Sequence, residues 1–227
     1  MKISTSILVL LLPVFASAAP PFHAAEGLFD LSNSKSLGLT AIAGEHKEIY
    51  HATEQSGFRF SHHPGLIMFK DRLYCSWSNG RAHEDRPDQR VLYSSSADGN
   101  IWSSPEVLAK PPEGVYGSCV AAGFHVHDDR LVAYYTLTHE YPTHNLHNKK
   151  NAVWAITSRD GVNWSQPTKV AAGFYIEAPR LLSNGRLFLG GEHAGDIWKS
   201  HQARMRLLYS DSANGIDGWE QAAIDPT

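Results

Sequence analysis

Cysteine is scarce in this chain. Two occur in 227 residues, Cys75 and Cys119, so at most one disulfide can form, and their separation in sequence leaves a bridge and a pair of buried thiols equally open. Charge of one sign is also lacking. Lys and Arg number 20 against 23 Asp and Glu, a net charge of −3, which offers neither a nucleic acid nor an anionic membrane surface an electrostatic reason to bind. Beyond the N-terminus no apolar run approaches the ~20 residues that cross a bilayer. Apolar residues recurring with helical period are missing too. What remains is a chain of short alternating segments punctuated by 18 Gly and 12 Pro, the pattern of an all-β protein.

The N-terminus reads as a secretory signal. Lys2 precedes the apolar run Ile7 to Leu12, and Ala16-Ser17-Ala18 supplies the small residues of a cleavage site. The expectation is a signal peptide over 1–18 and a secreted mature domain over 19–227. Within 19–57, Leu28-Phe29 and Leu37 to Ala43 are each expected to form a strand. Asn163-Trp164-Ser165 is a glycosylation sequon. Thirteen His and 11% aromatics suit a protein that handles carbohydrate.

Two repeats run through the chain in phase. In the first, an alternating strand enters a polar turn that closes on an aromatic: Ser96-x-Asp98-Gly99-x-x-Trp102, then Ser158-x-Asp160-Gly161-x-x-Trp164, then a looser copy ending at Trp219, with tryptophans 62 and 55 residues apart. Asp accepts hydrogen bonds from amides two residues on, Gly supplies a positive φ, and Trp folds back over the turn. In the second, two apolar strands flank a short polar turn that ends in Arg72, Arg130 or Arg186, spaced by 58 and 56 residues. Lys70-Asp71, Asp128-Asp129 and Asn184-Gly185 occupy the turn. Each unit is therefore strand, tight turn, strand, long loop, strand, Asp turn, strand. That is one four-stranded blade of a β-propeller, present about three times. Propellers close with roughly four to eight blades, so a six- or seven-bladed whole is expected.

The long loops, 78–90, 136–151 and 190–205, fall at the end opposite the tight turns and hold His83, His139, His144, His147, His193 and His201. Long titratable loops on a rigid scaffold are where sites are built. On the strands expected to line the channel, His63 and Glu177 each stand nine residues before a turn arginine. The spacing of His139, His144 and His147 fits no helical H-x-x-x-H pair, and no metal or cofactor is expected; a channel calcium ion is neither implied nor excluded. Five of the six Trp are expected in the core, with Trp198 in a loop as a sugar platform.

The Asp turns resemble the Asp-boxes of sialidase-like propellers, where they join the third and fourth strands of a blade. His62-His63-Pro64, together with Ser78-Asn79-Gly80 and the Glu84-Asp85 that follows, is more similar to the propeller polysaccharide lyases. The L-rhamnose-α-1,4-D-glucuronate lyase type is the best match, with ulvan lyases and a propeller α-L-rhamnosidase as relatives, over residues 58–219. The Arg-Ile-Pro of true sialidases is absent from 58–64, where Arg59 stands. The resemblance implies β-elimination beside a uronate, with His63 and His83 as the catalytic pair, Arg180 as carboxylate clamp and Tyr135 or Tyr141 as acid. Arg59, His62, Glu177, His193 and Trp198 are the implied substrate contacts. For Arg180 a buried salt bridge with Glu177 stays open. The partner expected is a polysaccharide or oligosaccharide, bound by a monomer. A sialidase-like or rhamnosidase-like hydrolase, and a non-catalytic lectin or propeller fragment, are the alternatives.

Overall fold

The computed structural model describes residues 25–139, 150–192 and 205–223. His193, Trp198, Tyr141 and the signal segment expected over 1–18 lie outside the described residues, as do His144, His147 and His201. Residues up to His46 form a unit of their own. Its described part is a series of turns, and the strands expected at Leu28-Phe29 and Leu37 to Ala43 do not form. Local turn chemistry wins there: Asp30 Oδ1 accepts from Ser32 N at 3.0 Å and from Ser32 Oγ at 2.6 Å, and Gly27 and Gly38 both take φ of +75°.

From Lys47 onward the chain builds three four-stranded antiparallel sheets. The first contains β1 (Phe60–Phe69), β2 (Arg72–Gly80), β3 (Arg90–Ser96) and β4 (Glu106–Ala109) in sequence order. The second contains β5 (Cys119–His127), β6 (Arg130–Leu137), β7 (Ala152–Ser158) and β8 (Thr168–Ala172). The third contains β9 (Arg180–Leu181), β10 (Leu187–Glu192), β11 (Met205–Ser210) and β12 (Trp219–Gln221). No helix occurs among the described residues. These are propeller blades with the expected strand order.

Strand β6 shows why the sequence reads as it does. Leu131, Ala133, Tyr135 and Leu137 turn one way, into a core shared with Phe69, Tyr74, Val91 and Phe124 of neighbouring strands. Val132 and Tyr134 turn the other way, against Tyr175, Leu189 and Leu208. A strand buried on both faces needs apolar residues at every position, and successive side chains supply the two faces alternately. Cys75 and Cys119 are both free, buried thiols.

The Asp turns join β3 to β4 and β7 to β8. Asp98 Oδ1 accepts from the amides of Asn100 and Ile101 at 2.8 and 2.9 Å, and Asp160 Oδ1 from those of Val162 and Asn163 at 2.9 and 2.8 Å. In the degenerate third copy Asn214 takes the same role, its Oδ1 accepting from Ile216 and Asp217 at 2.8 and 3.2 Å. These turns also fasten one blade to the next. Tyr74 donates to Asp160 O at 3.4 Å, and Tyr134 donates to Gly215 O at 2.7 Å. Both contacts need glycine: a Cβ on Gly161 would sit 2.0 Å from Tyr74 Oη, and one on Gly215 would sit 2.2 Å from Tyr134 Oη. The turn arginines fold back on their own blades, Arg72 to Ser95 Oγ at 3.2 Å and Arg186 to both oxygens of Asp211 at 2.7 and 3.1 Å.

The third blade departs from expectation at its first hairpin. Leu181 pairs with Leu187, so the connection runs over 182–186 rather than the two residues Asn184-Gly185, and β9 keeps two residues. Leu182 N donates to Arg186 O at 2.8 Å and Gly185 N to Leu182 O at 2.9 Å, closing the wider loop on itself.

Candidate functional site

The first strands of the three blades converge. A Cβ on Gly65 of β1 would meet Gly123 Cα of β5 at 3.0 Å, and one on Gly123 would meet Ala178 Cβ, just before β9, at 3.1 Å. Around this approach lies a cavity of about 750 Å³ lined from all three blades, whose polar side chains are His63, His125, Glu177 and Arg180. The structure thus brings His63, Glu177 and Arg180 to one cavity. Glu177 Oε2 and Arg180 Nη2 stand 3.5 Å apart with both side chains largely in solvent, at 69% and 76% exposure, so the pair costs little to separate. His125 is held by Ala213 O at 2.8 Å.

His63 reaches the cavity through a break in β1. The register with β2 shifts by one residue between His62 and Gly65, a β-bulge, and His63 takes φ of +53°. That left-handed backbone is uncommon outside glycine and costs about 1–3 kcal/mol. Its effect is to turn two successive imidazoles toward each other, ring centroids 4.0 Å apart. His62 lines a separate cavity of about 280 Å³ beside Tyr50 and Trp77. Burial, with help from the neighbouring His62, holds His63 below the usual imidazole pKa, while Glu84 pulls the other way.

The β2–β3 loop closes over this pair. Gln89 is fully buried. Its amide nitrogen donates to Asp85 Oδ1 and to Cys119 O, both at 3.2 Å, which leaves its oxygen to accept from Asp85 N at 3.0 Å and from His62 Nε2 at 3.0 Å. Gln89 therefore assigns the proton of neutral His62 to Nε2. Glu84 Oε1 stands 3.4 Å from His62 Nδ1 and 4.0 Å from His63 Nε2. Glu84, Asp85 and Gln89 are the residues that sequence reasoning did not assign to the site. The Glu84-Asp85 dipeptide was visible as part of a motif, but its reach back to β1 depends on left-handed turns at Asp85 and Asp88, with φ of +50° and +70°.

The arrangement of repeated Asp turns decides the family: the BNR repeat-like domain matches over residues 71–226. The chain belongs to that family. None of the curated proteins matches it in sequence. Among solved structures, this BNR-repeat chain is similar to the leech intramolecular trans-sialidase, with TM-score 0.56 and 13% identity over 87% of this chain and 48% of that one. It is similar to the Trypanosoma rangeli sialidase, with TM-score 0.55 and 14% identity over 76% and 30% of the two chains. It is also similar to a family 117 glycoside hydrolase of the marine bacterium Zobellia galactanivorans, with TM-score 0.54 and 15% identity over 73% and 56%. The BNR-repeat chain spans between 30% and 56% of the lengths of these proteins. Such identities show a shared propeller fold.

The remaining expected site residues of the BNR-repeat chain fall elsewhere. His83 is exposed on the β2–β3 loop, next to Glu84 but outside the contacts of the histidine pair. Tyr135 is sealed in the core between the first two blades, where burial raises its pKa far above the ordinary phenol. Arg59 pairs with Glu54 at 2.9 Å and lines a small outer cavity with Arg81. Trp77 is buried, and Trp102, Trp154, Trp164 and Trp219 are partly buried in the sheets. His139 accompanies Asn151, its backbone amide donating to Asn151 Oδ1 at 2.8 Å.

Proposed function

We propose that this chain carries the active site of a secreted carbohydrate-active enzyme, and that the site is the cavity between the inner strands. The observation that carries the reading is the meeting there of an imidazole, His63, and a guanidinium, Arg180, brought from different blades to one concave surface. Among the described residues the cavity has a single carboxylate, Glu177. Glycoside hydrolysis ordinarily needs two; elimination beside a uronate needs a cation, a base and an acid.

The step balances as follows. Arg180 swings from Glu177 to the uronate carboxylate, pairing with it through two hydrogen bonds, and so acidifies C5–H. His63 takes that proton. The C5–H electrons form the C4–C5 double bond as the C4–O bond breaks, and the departing oxygen takes a proton. Tyr135 is buried, so Tyr141, which lies outside the described residues, or a second histidine is the proposed acid. The substrate class is a plant polysaccharide with sugar linked to glucuronate, rhamnosyl-glucuronate foremost, and the released product is the terminal sugar.

Product analysis tests the reading. Incubating the protein with a rhamnosyl-glucuronate oligosaccharide should release rhamnose together with ultraviolet absorbance from the unsaturated uronate. Rhamnose without absorbance would make the protein a hydrolase of the kind its structural relatives are named for. Absence of both products from folded protein would contradict an enzymatic site.

A further inference from the structure

The histidine pair and Glu84 hold an electrostatic conflict that a cation would resolve. The Gln89 amide fixes the His62 proton on Nε2, as derived above from hydrogen bonds at 3.0 and 3.2 Å. His62 Nδ1 then presents a lone pair, buried and without a hydrogen-bond partner, and the atom it faces at 3.4 Å is Glu84 Oε1, a second acceptor. The same carboxylate oxygen is 4.0 Å from His63 Nε2. No hydrogen bond dictates which His63 nitrogen carries the proton, since Nδ1 is also without a partner, so Nε2 can offer its lone pair. One donor atom from each of His62, His63 and Glu84 falls within 4.8 Å of the others.

We infer that His62 Nδ1, His63 Nε2 and Glu84 Oε1 form a binding site for a divalent first-row metal ion such as zinc. Two imidazoles and one carboxylate are the donor types such ions take, and three protein ligands leave a coordination position for water. The strained backbone at His63, φ +53°, directs the second imidazole to the site. Gln89 does for His62 what a hydrogen-bonding partner does for a metal-bound histidine: it fixes the tautomer and the ring. Asp85 Oδ1, 3.8 Å from His62 Nε2, adds a second negative charge nearby. Glu84 is 59% exposed and gives the ion a way in from solvent. Occupancy engages the imidazole assigned above to proton transfer, so metal and turnover compete; the binding itself does not depend on that assignment.

The test is calorimetric titration of the untagged full chain with zinc chloride, for the wild type and for Glu84→Gln, His62→Asn and Gln89→Ala. The wild type should show one saturable equivalent whose affinity drops at least about 100-fold in Glu84→Gln and His62→Asn, and about 10-fold in Gln89→Ala. Zinc held by other histidines would be unchanged by these substitutions. Because Glu84 is exposed, Glu84→Gln should keep the wild-type thermal unfolding curve, and it separates loss of a ligand from loss of fold. Equal affinity of wild type and Glu84→Gln, or no saturable equivalent in the wild type, overturns the site.

Discussion

At the scale of single residues, geometry dictates a side chain or its absence at two positions. Gly161 sits at φ +74° with Tyr74 Oη 2.0 Å from where its Cβ would be. Gly161→Ala should therefore destabilise the protein by about 3 kcal/mol, combining a left-handed alanine with an overpacked contact; urea denaturation measures it, and a change below ~1 kcal/mol would show that the Tyr74 contact is slack. Arg180, by contrast, is mostly in solvent and loosely paired with Glu177. Arg180→Ala should leave stability within about 0.5 kcal/mol. It should lower kcat/KM on a uronate substrate by at least about 100-fold, as expected when a charged partner of the substrate is lost. An intact rate in Arg180→Ala would remove the carboxylate clamp from the mechanism.

At the scale of elements, the Asp turn is a carboxylate-capped device and carries a pH signature. The amides of Ile101 and Asn100 hold Asp98 below its ordinary value of 3.8, and the side chain and then the backbone amide of Asn163 do the same for Asp160. A depressed carboxylate contributes stability that is present above the unfolded value and lost as pH falls through the folded one. His125 adds a second loss with the same sign at milder acidity: burial lowers its pKa from 6.5, so the unfolded chain binds a proton there before the folded chain does. Unfolding free energy should thus decline in two stages on acidification. Asp98→Asn combined with Asp160→Asn should shrink the lower stage and leave the upper, while His125→Gln shrinks the upper, to which His63 and His139 contribute with the same sign; an unchanged profile in both would contradict the assignment. Tyr134→Phe, which removes the hydroxyl bonded to Gly215 O, should cost about 1–2 kcal/mol through the contact between the second and third blades.

This is also the scale at which the sequence was most readable. The Asp turns are local: Ser, Asp, Gly and Trp lie within seven residues and make their hydrogen bonds to one another, so their chemistry can be read without the fold. The apolar run of β6 after its tight turn marked it as a strand for the same reason. What could not be read depends on distance or on loop conformation. Asn214 replaces Asp in a turn that runs nine positions from Ser210 to Trp219 instead of six, which hid the third copy's bonding. The 182–186 turn closes on its own backbone instead of the Asn184-Gly185 signal. Glu84, Asp85 and Gln89 reach His62 across 22 to 27 positions of sequence, through a loop whose two left-handed aspartates, Asp85 and Asp88, do not by themselves fix where it closes. The Arg180–Glu177 pair was expected, as the alternative to a carboxylate clamp, to be a buried salt bridge; the pair forms, but with both side chains largely in solvent.

At the scale of the whole molecule, the three blades are fastened by Tyr-to-turn contacts, and the Gln89 loop adds a tie between the first two, where Cys119 N donates to Gln89 O at 2.9 Å. The inner strands are left converging on one cavity. A rigid sheet scaffold with chemistry placed at its inner strands is how one fold serves many reactions. The central claim is that the cavity imidazole, His63, and not the exposed His83 of the neighbouring loop, moves the proton. The most direct measurement compares the appearance of unsaturated uronate for the wild type, His63→Ala and His83→Ala under one set of conditions. A loss of about 100- to 10,000-fold is expected in His63→Ala, and a rate within about two-fold of wild type in His83→Ala. A full rate in His63→Ala, or a collapse in His83→Ala alone, would contradict it.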